Sequence, residues 1–244
     1  MAAAPPILVA DGLHKRFGAL VVLDGVSISL AAGATLGIVG PNGAGKTTLL
    51  SVLAGAQPPN AGSIHFAGEE VTALSAAARC RLGLVRTHQI PRPFAGMSVF
   101  ENIYVASSQA GPAAGSEAYD LAVDALALCG MSQLANRQAE TLGLLDRKRL
   151  ELARAVATHP RLLLLDEIGG GLTDAEASEL VAIIRELRRR QISIVWIEHI
   201  VHVLLQVADR LICMDAGKII ADGEPQAVLG DSSVIAAYLG GVAA

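Results

Sequence analysis

Apolar positions along this chain fall into short runs whose period switches between that of a strand and that of a helix. Val26, Ile28 and Leu30 alternate with Ser27 and Ser29, the period-two pattern of a strand with one buried face. Ile7 to Ala10 reads as another short strand, and Thr35 to Val39 as a fully buried one. Thr47 to Ala54 reads as a helix ended by Gly55. Pro58-Pro59-Asn60-Ala61-Gly62 marks a turn before a strand at Ser63 to Phe66. From about Arg92 to Ala157 strand signals fade, and Ala-rich helical stretches take over at Glu117 to Cys129 and Arg147 to Ala157; Ser107 to Gly115 reads as a loop. The alternating pattern then resumes. Strands are expected at Arg161 to Leu165, Ser193 to Ile197, Leu211 to Met214 and Lys218 to Ala221, with helices at Asp174 to Arg190 and His199 to Ala208. The pattern predicts an α/β core carrying an inserted helical subdomain at about 92–157.

Composition narrows this picture. The chain has 244 residues, 52% hydrophobic and 17% charged, enough to bury a sizeable core and too apolar for disorder. Aromatics are 3%, so the core is built from Leu, Val, Ile and Ala. A net charge of −4 argues against a nucleic-acid partner, and the Arg188-Arg189-Arg190 run suits a solvated helix end. The three cysteines, Cys80, Cys129 and Cys213, are scattered without a CxxC pair, which argues against disulfides or zinc and for a reducing compartment. Met1 to Pro6 lacks the features of a signal peptide, and no run of about 18 apolar residues could span a bilayer. Work at a membrane would go through a partner.

The strongest chemical motif is Gly40-Pro41-Asn42-Gly43-Ala44-Gly45-Lys46-Thr47, followed by Thr48, between a strand and a helix. This is a P-loop in its proper context: glycines let backbone amides converge on phosphate, Lys46 reaches the β- and γ-phosphates, and the Thr47 hydroxyl faces Mg²⁺. A second motif is Arg161-Leu162-Leu163-Leu164-Leu165-Asp166-Glu167. The leucines form a buried strand, so Asp166 emerges at its carboxyl end, placed to hold Mg²⁺, and Glu167 follows, placed to polarise an attacking water. ATP and Mg²⁺ are the expected cofactors.

In order and spacing these motifs resemble the ATP-binding subunits of ABC transporters, essentially end to end. The resemblance implies an α/β P-loop NTPase fold, the ABC ATPase core, with a mixed sheet, an antiparallel β subdomain and the inserted helical subdomain, all in one nucleotide-binding domain over 1–244. It also gives roles to residues that alone would carry none. Phe17 matches the aromatic that stacks on adenine. Gln89, in Arg86-Thr87-His88-Gln89, matches the glutamine that senses Mg²⁺ and the γ-phosphate, in a loop coupled to membrane partners. His199, in Trp196-Ile197-Glu198-His199, matches the switch histidine at the γ-phosphate. The signature segment departs from the family's Leu-Ser-Gly-Gly-Gln, for here it reads Leu142-Gly143-Leu144-Leu145-Asp146. The resemblance implies contact of this segment with ATP held by an opposite subunit, lacking here the serine hydroxyl and two glycines. Ile168 stands where proline is usual, and Thr173 where aspartate is usual.

Several stretches resemble the branched-chain amino-acid (Liv-type) importers: the Arg-Thr-x-Gln junction, Arg149 to Arg154, the Ile-Glu-His switch, and the tail Val234 to Gly240. The function so implied is ATP hydrolysis powering an importer for branched-chain or hydrophobic amino acids or related amides. The implied partners are a second ABC ATPase subunit, two integral membrane permease subunits contacted through the Gln89 loop and Ile90 to Phe100, and indirectly a solute-binding protein. The implied location is peripheral, on the cytoplasmic face of the membrane. Two rivals stand beside this reading. One is a non-transport ABC ATPase, although the coiled coils, tandem cassettes and basic arms usual there are not seen. The other is a regulatory subunit of low hydrolysis, suggested by the altered signature and opposed by the presence of Glu167 and His199.

Overall fold

A computed structural model of the chain describes residues 6–110 and 114–240. The reading of Met1 to Pro6 therefore falls almost wholly outside the described residues, as does the middle of the loop expected at Ser107 to Gly115.

Among the described residues, ten strands form two sheets. β1 (Pro6–Phe17), β2 (Leu20–Ala31), β4 (Ala61–Phe66) and β5 (Glu69–Glu70) make an antiparallel sheet in the order β2-β1-β4-β5. β3 (Thr35–Val39), β6 (Leu84–Arg86), β7 (Leu162–Asp166), β8 (Ser193–Ile197), β9 (Arg210–Asp215) and β10 (Lys218–Gly223) make a six-stranded sheet in the order β10-β9-β3-β8-β7-β6. Its pairings are parallel except for the β9–β10 hairpin, so the sheet is mixed.

The four leucines of β7 show why this sheet is central. Leu163 and Leu165 join one apolar core, with helices on that face, while Leu162 and Leu164 join a second core shared with the antiparallel sheet. Ile194 and Trp196 of β8 likewise face the first core, and Val195 and Ile197 the second. A strand buried on both faces reads as a continuous apolar run, which is what Arg161 to Leu165 displayed. In β2 the alternation holds as expected, with Val26, Ile28 and Leu30 buried and Ser27 and Ser29 exposed.

The helices are α1 (Lys46–Leu53), α2 (Ala76–Arg81), α3 (Val99–Gln109), α4 (Ser116–Leu128), α5 (Leu144–Ala157), α6 (Asp174–Arg189), α7 (Val201–Leu204), α8 (Pro225–Leu229) and α9 (Ser232–Gly240). α2, α8 and α9 lie where the sequence pattern named no helix, and three others depart from it in a way that bears on the site or its surroundings. α3 runs where Ser107 and Ser108 read as loop; Ser107 is buried, and its hydroxyl donates to Ala118 O at 2.7 Å, so a polar residue joins α3 to α4. α5 starts three residues earlier than expected, capped by Gly143. α7 covers only Val201–Leu204 of the helix expected from His199 to Ala208, leaving His199 outside any helix. Between β6 and β7 the described elements are all helical. The arginine run ends α6 in ion pairs: Arg188 with Asp209 at 2.6 Å, Arg189 with Glu186 at 2.8 Å, and Arg190 with Asp124. No helix among the described residues is long and apolar enough to cross a membrane.

Candidate functional site

The carboxyl ends of β3, β7 and β8 converge, and each motif leaves the sheet there. β3 passes through Gly40 to Gly45 into α1. Gly40 has φ 141°, and a Cβ on it would lie 2.0 Å from the Met214 carbonyl oxygen of β9. Gly45 has φ 102°, and a Cβ there would lie 2.6 Å from the Val22 carbonyl oxygen. The loop therefore fits its neighbours only without side chains at these two positions. The backbone amides of Asn42, Gly43, Gly45, Lys46 and Thr47 have no hydrogen-bond acceptor among the described residues, so they remain free for an anion at the N-terminus of α1. Together with Val22 and Glu167, residues Asn42 to Thr48 line a pocket of about 190 Å³.

Lys46 is buried and folds back on its own loop, its Nζ donating to Gly40 O at 2.7 Å and Pro41 O at 2.9 Å. Burial lowers its pKa from the ordinary value, and the charges of Glu167 and Asp166 partly restore it. The two carbonyls thus hold the Lys46 amine at the centre of the loop.

Below it, the Thr47 hydroxyl lies 3.4 Å from Asp166 Oδ1. The other Asp166 oxygen accepts from Arg86 at 2.7 Å, and Arg86 also donates to Ser51 Oγ of α1 at 2.8 Å. A hydroxyl and a buried carboxylate side by side are the hard oxygen donors that Mg²⁺ takes. Glu167 follows with φ 49°, an unusual conformation for a residue with a side chain. Its backbone is fixed in that turn: its amide donates to Ile197 O at 2.9 Å, and its carbonyl accepts from Gly170 N at 3.2 Å.

The Glu167 carboxylate is gripped on both oxygens. His199 Nε2 lies 2.6 Å from Oε1, and the Gln89 side-chain amide donates to Oε2. Gln89 reaches there from the end of β6, His199 from the end of β8. A carboxylate so oriented, at the rim of an anion-binding loop, can accept a proton from water. Three of the residues singled out in the sequence thus meet at one point. Gln89 contacts Glu167 rather than the Thr47–Asp166 pair. Phe17 is 47% exposed beneath the Lys15 ammonium, 5.0 Å from its ring centroid, and Val22 is the residue of that hairpin which lines the phosphate pocket.

Leu142 is buried, and Gly143 caps α5 with extended backbone and no side-chain hydrogen bond. Leu144 and Leu145 are the first two helical residues, and Asp146 forms an i, i+3 ion pair with Arg149 at 3.4 Å. Leu144 is 48% exposed, and its Cδ2 is 3.2 Å from where a Cβ on Gly171 would stand. This segment and Gly169 to Thr173 therefore lie side by side. Ile168 is buried in the core in place of the usual proline.

Beneath the site are two buried charged residues that the sequence does not announce. Glu198 Oε1 accepts from Gly169 N and from Trp196 Nε1, while Oε2 has no partner. Lys148 of α5 is also buried, its Nζ 3.4 Å from the Glu167 carbonyl oxygen. Burial raises the Glu198 pKa, opposed first by its hydrogen bonds from Gly169 and Trp196, and lowers that of Lys148, opposed by the charges of Glu198 and Glu167. Arg86, Lys148 and Glu198 look like surface residues in the sequence. The one signal at hand was position: Glu198 directly follows a fully apolar strand.

The ABC transporter family model matches residues 23–169, and a model described as branched-chain amino acid ATP-binding cassette transporter matches residues 218–244. The high-affinity branched-chain amino acid transport ATP-binding protein LivG of Escherichia coli is 37% identical over 250 residues, spanning 96% of this chain and 98% of that protein. BraF of Pseudomonas aeruginosa, named for the same transport, is 36% identical over 96% of this chain and 98% of its own length. The ADP conformation of MJ1267, an ATP-binding cassette of an ABC transporter, superposes with a TM-score of 0.89 at 32% identity, covering 97% of this chain and all of that one. By motif geometry, fold and sequence, the chain belongs to the ABC transporter family as one of its ATP-binding, ATP-hydrolysing cassettes.

Proposed function

We propose that this cassette powers an importer for branched-chain or other hydrophobic amino acids or related small amides, docked on the cytoplasmic face of the membrane. The observation that carries the catalytic part is the Glu167 carboxylate, held between His199 and Gln89 beside the P-loop. The free amides of Asn42, Gly43, Gly45, Lys46 and Thr47 and the Lys46 side chain bind the phosphates of ATP, with Gly40 to Thr48 as the cradle and Phe17 as the face for adenine. Thr47 and Asp166, with Gln89 nearby on Glu167, would hold Mg²⁺, which would supply neutralisation of charge on the phosphates. Glu167 orients the attacking water and takes its proton, and His199 steadies the carboxylate and faces the γ-phosphate.

Leu142 to Asp146 serve the ATP bound by a second ATPase subunit. The first-turn amides of α5 remain available for that contact, and the serine hydroxyl of the family pattern is missing. Two membrane permease subunits dock where Gln89 leads into Ile90 and Phe94, 71% and 44% exposed, beside a groove of about 310 Å³ lined by His88, Gln109 and Arg154. A solute-binding protein acts on the far side of the membrane, without touching this chain. Support for the amino-acid class comes from the Liv-type relatives and the family tail at 218–244.

The test is uptake of radiolabelled leucine by vesicles holding the chain with its permease subunits and binding protein. ATP-dependent uptake that excess isoleucine or valine suppresses is the expected result. Assembly and ATP hydrolysis without amino-acid uptake would remove the substrate class and leave the ATPase reading standing.

A further inference from the structure

The amide of Gly40, the first residue of the phosphate loop, is not among the free ones. It donates to the hydroxyl of Tyr238 at 2.9 Å, across 198 positions of sequence. Tyr238 lies on α9, which reaches the loop after β10 and α8 and packs against both. α9 is anchored by the buried Val234, while the Tyr238 ring is 39% exposed. The gap between this helix and the loop, about 660 Å³ lined by Pro41, Asn42, Asp215, Ser233 and Ala237, is otherwise open. The Tyr238 hydroxyl is thus a direct tie between this helix and the loop, beside that gap.

We propose that Tyr238 is a positioning residue for the phosphate loop, by which the C-terminal segment of this chain sets its affinity for nucleotide. Lys46 and Tyr238 hold the same peptide region from two sides: the ammonium takes the Gly40 carbonyl, and the phenol takes the Gly40 amide. At φ 141° the Gly40 backbone is in a conformation that glycine enters freely and leaves freely, so its amide needs an external partner to stay in place. The phenol supplies that partner in neutral form, since burial raises its pKa above the ordinary 10.0. With the loop fixed before nucleotide arrives, less ordering is required on binding. The inference rests on the nucleotide-binding reading of the P-loop and adds a residue outside every motif of the site.

The test compares the full-length wild type with Tyr238→Phe, which keeps the ring and removes the hydroxyl. Calorimetric titration with MgADP is expected to show roughly three- to tenfold weaker binding in the variant, the worth of one hydrogen bond. In the assembled transporter, KM for ATP should rise by a similar factor while kcat at saturating ATP is held. Hydrogen exchange supplies a readout that packing alone would not move: the Gly40 amide should be protected in the wild type and exchange faster in Tyr238→Phe. Equal MgADP affinity in the two proteins, a fall in kcat with KM unchanged, or an unprotected Gly40 amide in the wild type would each overturn the proposal. Failure of the underlying reading would look different, since the wild type itself would not bind MgADP.

Discussion

Glu167 shows how much one residue's setting adds to its identity. A glutamate after a buried strand can be recognised from sequence, and so can the asparagine-and-glycine loop ahead of Lys46. The partners of Glu167 cannot be read that way, because Gln89 and His199 reach it from other strands and were found only through the family's register. Arg86 and Glu198 show the limit more sharply. A charged residue is normally solvated, and nothing local marks Arg86 as the counter-ion of Asp166 or Glu198 as the buried acceptor of the Gly169 amide. Glu198 leads to a prediction at this scale. Burial raises its pKa, so the folded protein holds this proton to higher pH than the unfolded chain does. Its contribution to stability is therefore greatest at low pH and declines as pH rises above the ordinary glutamate value of 4.5. Glu198→Gln keeps an acceptor for Gly169 and removes the titration. The melting temperature of the variant relative to wild type should climb as pH is raised from about 4.5 toward neutrality. A difference that stays constant over that range would show that Glu198 does not titrate in this way.

At the scale of elements, the strands were more legible than the helices. β3 and β8 match their expected spans because a strand buried on both faces leaves an unbroken apolar run. α3 was missed although Ser98 and Glu101 form a capping box at its start, a pattern present in the sequence but overshadowed by the small polar residues at its end. α7 was overextended because an apolar stretch after His199 looks helical, whereas the backbone must first turn His199 back toward Glu167. The start of α5 bears on function. Gly143 caps the helix in extended conformation with no atom within 4 Å of a built Cβ, so serine fits there without displacement and supplies the missing hydroxyl. Leu145→Gly in addition restores close approach of backbone to an anion. The double variant should raise ATPase of the assembled transporter by roughly tenfold, the worth of one hydrogen bond to a charged group. Steady-state phosphate release at equal assembly measures it; an unchanged rate would mean that the altered segment is not what limits the opposite site.

For the whole molecule, the six-stranded sheet between two apolar cores is the frame that brings these parts together. Its parallel strands β3, β7 and β8 all point their carboxyl ends at one place, so loops separated by more than a hundred residues of sequence meet there. The antiparallel sheet supplies Val22 from one side, the helical stretch supplies α5 from the other, and α9 returns to tie the chain's end to its phosphate loop. Fold class and the P-loop were legible in the sequence because their signals are local. The ties between distant segments, such as Arg86 to Asp166 and Tyr238 to Gly40, were not, because they exist only once the fold has formed. The central claim is that Glu167, held by His199 and Gln89, takes the proton of the attacking water. Its most direct measurement is phosphate release by the assembled transporter with Glu167→Gln, alongside MgATP binding by the same protein. The account predicts hydrolysis lowered by about 10²–10⁴-fold with binding retained; hydrolysis at the wild-type rate with binding intact would contradict it.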